Sequence, residues 1–342
     1  VKQNIYGQPT LQKDVVTNVR GVNELKYCFR SDFKVRDLAQ SFQQNVFGDK
    51  YDTDDFSENG SYDFFGQQQQ KEGYINYMYL QDKNNIASLY TIIRGNILNK
   101  AGNISPNDIT ILGYTTGLLR TFDAYYRYAS REKTNSMLET IETMYMTHLN
   151  YIGKNNGGNP NLAWFNNITE HFKKKLFPKR TTLYDYDLIK LRQHIAVLFT
   201  IYDLYVSFPD TFKERLIEEC EKCRISFDVL IAFRKHYEEV LTQFKKEVYS
   251  SNYKNIRDNK KLHFWMNSGT IKISTINSFK GWESEVVFLV LEPKYDKSTT
   301  FNLSFDELLY TGITRCKRNL IVINFGNEEY DIKIRPLIAK LK

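Results

Sequence analysis

Three sets of polar residues in this 342-residue sequence stand where strand-like runs turn. Arg30 closes the short strand-like run Leu25–Phe29 and precedes Ser31 and Asp32, either of which is a good helix cap. Lys280, Gly281 and Glu283 sit in a polar turn between Ile271–Thr275 and the apolar run Val286–Leu291. Arg315 follows a helix candidate, Asp306–Ile313, and precedes the apolar run Leu320–Phe325. Polar groups at the ends of buried strands are where α/β folds place their sites. The plain alternatives are a surface Arg30 paired with a nearby carboxylate, and Glu283 paired with Lys280.

The elements that would hold these residues follow from periodicity. Val286–Leu291 is apolar without alternation, as expected of a central strand covered on both faces. After Asp32, apolar positions at Val35, Leu38, Ala39, Phe42 and Val46 keep helical spacing. Tyr74–Leu80 and Ile109–Tyr114 read as strands, with Ile86–Leu98 as a helix between them and Gly102 just past its end. Alternating strands and helices imply a parallel sheet with covering helices. From about Tyr125 the character changes. Ser136 and Glu139 form a capping box that opens a helix with Met137, Leu138, Ile141, Met144 and Tyr145 on one face. Leu188–Phe208 is a long apolar helix ended by Pro209, and Ser226 caps another that runs from Val229 through Phe244. The stretch from roughly 126 to 261 reads as strand-free, a helical insertion in an α/β domain, and the α/β pattern resumes at Thr270.

Composition narrows the class. Hydrophobic residues at 42% and charged residues at 25% are the proportions of a soluble globular protein. The longest apolar stretch, Ile195–Val206, contains Asp203 and is too short to span a bilayer. The start, Val-Lys-Gln-Asn, has no apolar signal core, so a cytoplasmic protein is expected. Val1 in place of an initiator Met suggests a portion of something longer. The net charge of +7 is mild and points to a polyanion only where it clusters. Two clusters stand out. One is Lys173–Lys175 with Lys179 and Arg180, and the other runs from Lys245 to Lys260 and Lys261 and is interleaved with aromatics up to Trp265. Solvated helix faces are the default for such runs, and contact with a nucleic-acid backbone is the sharper reading. Cys220 and Cys223 are the one close cysteine pair, and without a second pair they read as two half-buried helix thiols and not a zinc site. No metal site is expected.

Four separated stretches resemble the UvrD/Rep/PcrA-type superfamily 1 helicases, specifically their second RecA-like domain. Leu25–Ala39, LKYCFRSDFKVRDLA, is similar to the L-x-x-N-Y-R-S motif with its following helix. Ser274–Val287, STINSFKGWESEVV, resembles T-I/L-H-x-x-K-G-L-E-x-x-x-V, and Glu307–Lys317, ELLYTGITRCK, resembles L-x-Y-V-G/A-x-T-R-A-K/E. The opening Gln3–Gly7, QNIYG, looks like the tail of G-D-x-x-Q-S/N-I-Y. The order of these stretches, split by a helical insertion, strengthens the resemblance. It implies a RecA-like sheet from 1–125 and 262–342, an insertion at 126–261, and a first RecA-like domain outside this chain.

The resemblance implies roles residue by residue. ATP, with Mg2+, would sit between two RecA-like domains, and Arg30 and Arg315 would reach its γ-phosphate across the cleft. Arginine suits that task because its planar fork holds phosphate oxygens bidentately and stays charged. Gln3 would sense the γ-phosphate or the attacking water, Phe29 would stack on adenine, and Tyr6 would join the nucleotide site. Gly281 and Glu283 would approach the ribose and phosphates. Thr275 and Asn277 would face single-stranded DNA, and Lys260, Lys261 and Trp265 suggest a further DNA contact. Asn277 replaces the usual His, Trp282 the usual Leu and Cys28 the usual Asn. The sequence has no G-x-x-x-x-G-K-[S/T] and no paired acidic residues at a strand end for magnesium, so this chain alone is expected not to hydrolyse ATP. The implied activity is ATP-driven translocation on single-stranded or duplex DNA. The alternatives are a non-catalytic helicase-like module that binds nucleic acid or protein, and an RNA-directed helicase.

Overall fold

The computed structural model describes residues 31–48, 73–81, 85–100, 104–154, 163–239, 255, 258–259, 264, 267–292 and 305–341. Within the bounds Val1–Leu119, Lys133–Met137 and Trp265–Lys342 these residues form one compact unit, and within Arg120–Glu132 and Leu138–Phe264 they form a second. Leu25–Phe29 and the positions from Val240 to Phe244 lie outside the described residues.

The first unit is built on six strands, β1 (Ile75–Tyr79), β2 (Ile109–Gly113), β3 (Thr134–Ser136), β4 (Ile271–Thr275), β5 (Ser284–Leu291) and β6 (Cys316–Asn324). Every pairing is parallel, and the order across the sheet is β1-β6-β5-β2-β4-β3. Parallel strands bury both faces, and the unbroken apolar run of β5 does so, with Val286 through Leu291 all buried. Three helices group together: α1 (Phe33–Phe42), α9 (Phe305–Ile313) and α10 (Glu328–Ala339), where α1 touches the other two and also β6. On the opposite face, Asn96 of α2 (Ile86–Lys100) shares a cavity with Val286, Phe288 and Ile321. This is the helix-flanked α/β architecture expected from the sequence, and it is consistent with a RecA-like fold.

Two sequence expectations fail here. Thr134–Ser136 is a strand and not part of a strand-free stretch. It pairs with β4 from Thr134↔Ile271 to Ser136↔Ile273 and forms the sheet's edge. A three-residue polar edge strand carries no apolar alternation, so periodicity could not show it. Ser136 and Glu139 therefore do not cap a helix. Helix α4 (Ile141–Lys154) begins later, where the Thr140 hydroxyl accepts from Thr143 N at 3.2 Å.

In the second unit the described elements are helices: most of α3 (Thr116–Ser130), then α4, α5 (Ala163–Leu176), α6 (Asp185–Ser207), α7 (Pro209–Cys223) and α8 (227–239). Helix α6 is the hub and packs against α4, α5 and α7. Leu191, Ile195, Ala196, Leu198, Phe199 and Ile201 are all buried, so it is apolar around most of its circumference. Pro209 opens α7 at its first turn, where a missing N–H costs nothing, and the Ser226 hydroxyl accepts from Val229 N at 3.4 Å at the start of α8.

Helix α9 lies close on β5 because of one residue. A Cβ on Gly312 would stand 2.8 Å from Leu289 Cδ1 and 3.3 Å from Ile276 Cδ1, both buried. Alanine would regain up to ~1 kcal/mol of helix propensity against an overpacking cost of ~1–3 kcal/mol, whereas valine regains little. Gly312→Val is therefore expected to lower the melting temperature. A further Leu289→Ala change should restore part of the loss, and melting unchanged from the parent would show that α9 does not need this close approach.

Candidate functional site

Three of the singled-out stretches converge at the amino-terminal edge of β5 and β6. Ser284 pairs with Cys316, and Ser284 N donates to Arg315 O at 3.0 Å. The Arg315 guanidinium reaches back over this junction. It donates from Nη1 to Trp282 O at 3.4 Å, from Nη2 to Thr314 Oγ1 at 3.4 Å and from Nε to Thr311 O at 3.3 Å. All three are long for N–H···O bonds, and all go to neutral oxygens. Arg315 is 2% exposed, so its whole side chain, guanidinium included, is buried and its orientation set by the fold.

The third stretch enters through its described end. Ser31 Oγ donates to Cys316 O at 2.9 Å, and Asp32 N donates to Lys317 O at 2.7 Å. Asp32 caps α1, its carboxylate accepting from Lys34 N at 2.9 Å, and the same carboxylate accepts from Gly73 N at 2.9 Å. Gly73 must be glycine here, since a Cβ would stand 2.5 Å from Asp32 Cγ and 2.6 Å from Arg318 O. The residue after Arg30 is thus bonded to the residue after Arg315. The sequence offered Ser31 and Asp32 as helix caps. Their second role as anchors on β6 depends on a tertiary contact it could not show.

The segment 276–283, read from sequence as a turn between two strands, is a crossover. It carries the chain from the carboxyl end of β4 to the amino end of β5, with β2 lying between those strands. Eight residues are fewer than the dozen or so usual for a parallel connection. Phe279 is buried beneath it, while Asn277, Lys280, Gly281 and Trp282 are exposed and Glu283 is half-buried. Nothing lies within 4 Å of where a Gly281 Cβ would stand, so the chain itself leaves room for a side chain. What demands glycine is the backbone φ of +94°.

Arg315, Gly281 and Glu283 therefore lie at one edge of the sheet. Thr275, the last residue of β4, and Asn277, just beyond it, lie at the other. The Thr275 hydroxyl accepts from Ser278 N at 3.2 Å and donates to Ser278 Oγ at 3.0 Å, so it caps the crossover's first turn. Around the Arg315 edge stand exposed Lys280 and half-buried Lys317 and Arg318. The last two share Glu285 at 3.8 and 3.9 Å, pairs too long and too wet to tie them down. Burial pushes the Cys316 thiol up, which leaves it a protonated core group. Arg30, Gln3, Phe29, Tyr6, Lys260, Lys261 and Trp265 lie outside the described residues.

Residues 270–323 match the UvrD-like helicase C-terminal domain. The match takes in β4, the crossover, β5, α9 and all of β6 except Asn324. This stretch is similar to the C-terminal portion of UvrD-type superfamily 1 helicases. No curated protein matches the chain. Among the described residues, no helix is long and apolar enough to cross a membrane.

The Asp32 junction is testable apart from any activity. Asp32→Ala would leave Lys34 N and Gly73 N without their acceptor in a buried place, at a cost of ~1–3 kcal/mol. Its denaturant midpoint is expected to fall accordingly, and an unshifted midpoint would show that water replaces the carboxylate.

Proposed function

We propose that this chain supplies the second RecA-like domain and the helical insertion of an ATP-dependent DNA helicase or translocase. On this reading the sheet unit is the motor domain, the helical unit is the insertion, and a first RecA-like domain holds the P-loop. The observation that carries the proposal is the edge where the three motif stretches meet, Ser31 on Cys316 and Arg315 on Trp282.

The chemistry follows from that edge. Arg315, with Arg30 brought in beside Ser31, is aimed as a cross-cleft donor to the γ-phosphate of ATP. The residues present fit a phosphate. The buried guanidinium is held by long bonds to Trp282 O and Thr314 Oγ1, which an anionic phosphate outcompetes once the group is uncovered, and exposed Lys280 adds positive charge. ATP binds with Mg2+, and the magnesium ligands belong to the first domain. Gln3, Phe29 and Tyr6 complete the nucleotide site, and Gly281 and Glu283 line it from the crossover. At the far end of β4, Asn277 offers an exposed amide to the DNA backbone while Thr275 positions the turn that carries it. Lys260, Lys261 and Trp265 add a basic and aromatic DNA contact. Single-stranded DNA is the track, and the exposed Asn277 is the described residue that favours it over a purely protein partner.

The test is ATP turnover by the full-length protein, with and without single-stranded DNA. Turnover is expected to rise with DNA and to fall by ~10³ or more in Arg315→Ala, since an arginine at a transferring phosphoryl group is worth that much. Unchanged turnover in Arg315→Ala would remove Arg315 from the site. No turnover in the parent under either condition would favour a non-catalytic binding module.

A further inference from the structure

The helical unit holds a cluster that the helicase reading does not use. His194 on α6 faces Glu219 and Cys223 on α7, and the three donor atoms all lie within 4.8 Å of one another. Glu219 and Cys223 are four residues apart on one helix, so both project from the same face toward α6. We propose that His194, Glu219 and Cys223 form a transition-metal site of zinc type that ties α6 to α7.

The donor set defines the chemistry. One thiolate, one imidazole and one carboxylate are the ligands that zinc accepts, whereas calcium and magnesium take oxygen alone. Tetrahedral zinc, with bonds of ~2.0–2.3 Å, holds its ligands about 3.3–3.8 Å apart. Donors within 4.8 Å close onto an ion by side-chain rotation, without moving either helix. Water or the neighbouring thiol of Cys220, also on α7 and buried, completes the fourth position.

The groups around the three donors compete only weakly with an ion. Among the described residues His194 makes no hydrogen bond, and burial lowers its pKa, so the ring is a neutral ligand at neutral pH. Burial, with Glu219 beside it, pushes the Cys223 thiol up to about 12, so binding an ion releases its proton at some cost in affinity near neutral pH. Once the proton has left, the thiolate and carboxylate together neutralise the ion in a low-dielectric place. The competing cation is Lys222, which meets Glu219 at 3.0 Å with its side chain 54% exposed. Such a half-exposed pair is worth little and yields to a dication. Lys190 also faces His194, and it too is exposed. His194 is the half-buried member of the three, so the ion enters from its side.

Sequence alone gave Cys220 and Cys223 no partners, because His194 lies on the preceding helix and only the antiparallel packing of α6 and α7 brings it over.

The experiment loads the full chain with Zn2+, removes free metal and measures bound zinc. It then repeats the loading with Co2+ as an optical probe. One ion per chain is expected, with thiolate-to-cobalt charge transfer and the strong visible bands of a tetrahedral site. His194→Gln, a change at a half-exposed position that leaves the fold intact, should weaken binding at least tenfold and abolish the rise in melting temperature that Zn2+ gives the parent. Substoichiometric zinc in the parent, a cobalt spectrum without thiolate charge transfer, or equal binding by His194→Gln would each overturn the site. Because the readout is metal and not turnover, its outcome is independent of whether the chain serves a helicase.

Discussion

The parallel pairing of β5 with β6 is the constraint on which the site depends. It sets Ser284 beside Cys316 and so places the end of the crossover against the residue after Arg315. Everything at that edge takes its bearings from it. Ser284 N binds Arg315 O, the Arg315 side chain reaches Trp282 O, and Ser31 and Asp32 anchor on Cys316 and Lys317. The register shift between Ser284 and Val286 falls where the strand leaves the crossover, a common place for a sheet to bend near a functional edge. A slip of one residue in this pair would turn every side chain of β5 to the other face and carry Arg315 away from Trp282.

The crossover gives the arrangement mechanical sense. One short segment, clamped by buried Phe279, begins at Thr275 and Asn277 at the carboxyl end of β4 and ends at Gly281 and Glu283 at the amino end of β5. On the proposed reading, one end meets the track and the other the nucleotide. A segment this short and this anchored has little freedom to move at one end alone. The close seat of Gly312 on Leu289 couples α9, which delivers Arg315, to the same central strand. On the proposed reading, the rule that α/β ligands gather at the carboxyl ends of strands would apply to the residues assigned to DNA, while the arginine edge, at the opposite end, would offer its groups to a nucleotide held mainly by another domain.

The sequence showed the strongly patterned parts of this molecule. The unbroken apolar run of β5, the spacing from Val35 to Phe42 in α1 and the apolar length of α6 each reported their burial because long periodic segments carry their own signal. β3 was hidden because Thr-Asn-Ser at a sheet edge is held by backbone pairing to β4 and has no apolar face. The polar turn was legible, but its crossing of β2 was not, because strand order is a tertiary fact and nothing in Ile276–Glu283 says that β2 lies between its ends. The resemblance of motif singled out Arg315, Gly281 and Glu283, but not that they lie at one edge of the sheet. The anchoring roles of Ser31, Asp32 and Gly73 arise only when residues far apart in sequence touch. His194 was invisible for the same reason.

The most direct measurement is a double-mutant cycle on turnover by the full-length protein, comparing Arg30→Ala, Arg315→Ala and the pair. If both arginines address one phosphoryl group from the edge where Ser31 meets Cys316, either substitution alone should remove most of the activity. The double variant should then be hardly worse than the singles, as for residues that act as a unit. Losses that multiply, or a single variant with parental turnover, would contradict convergence on one site.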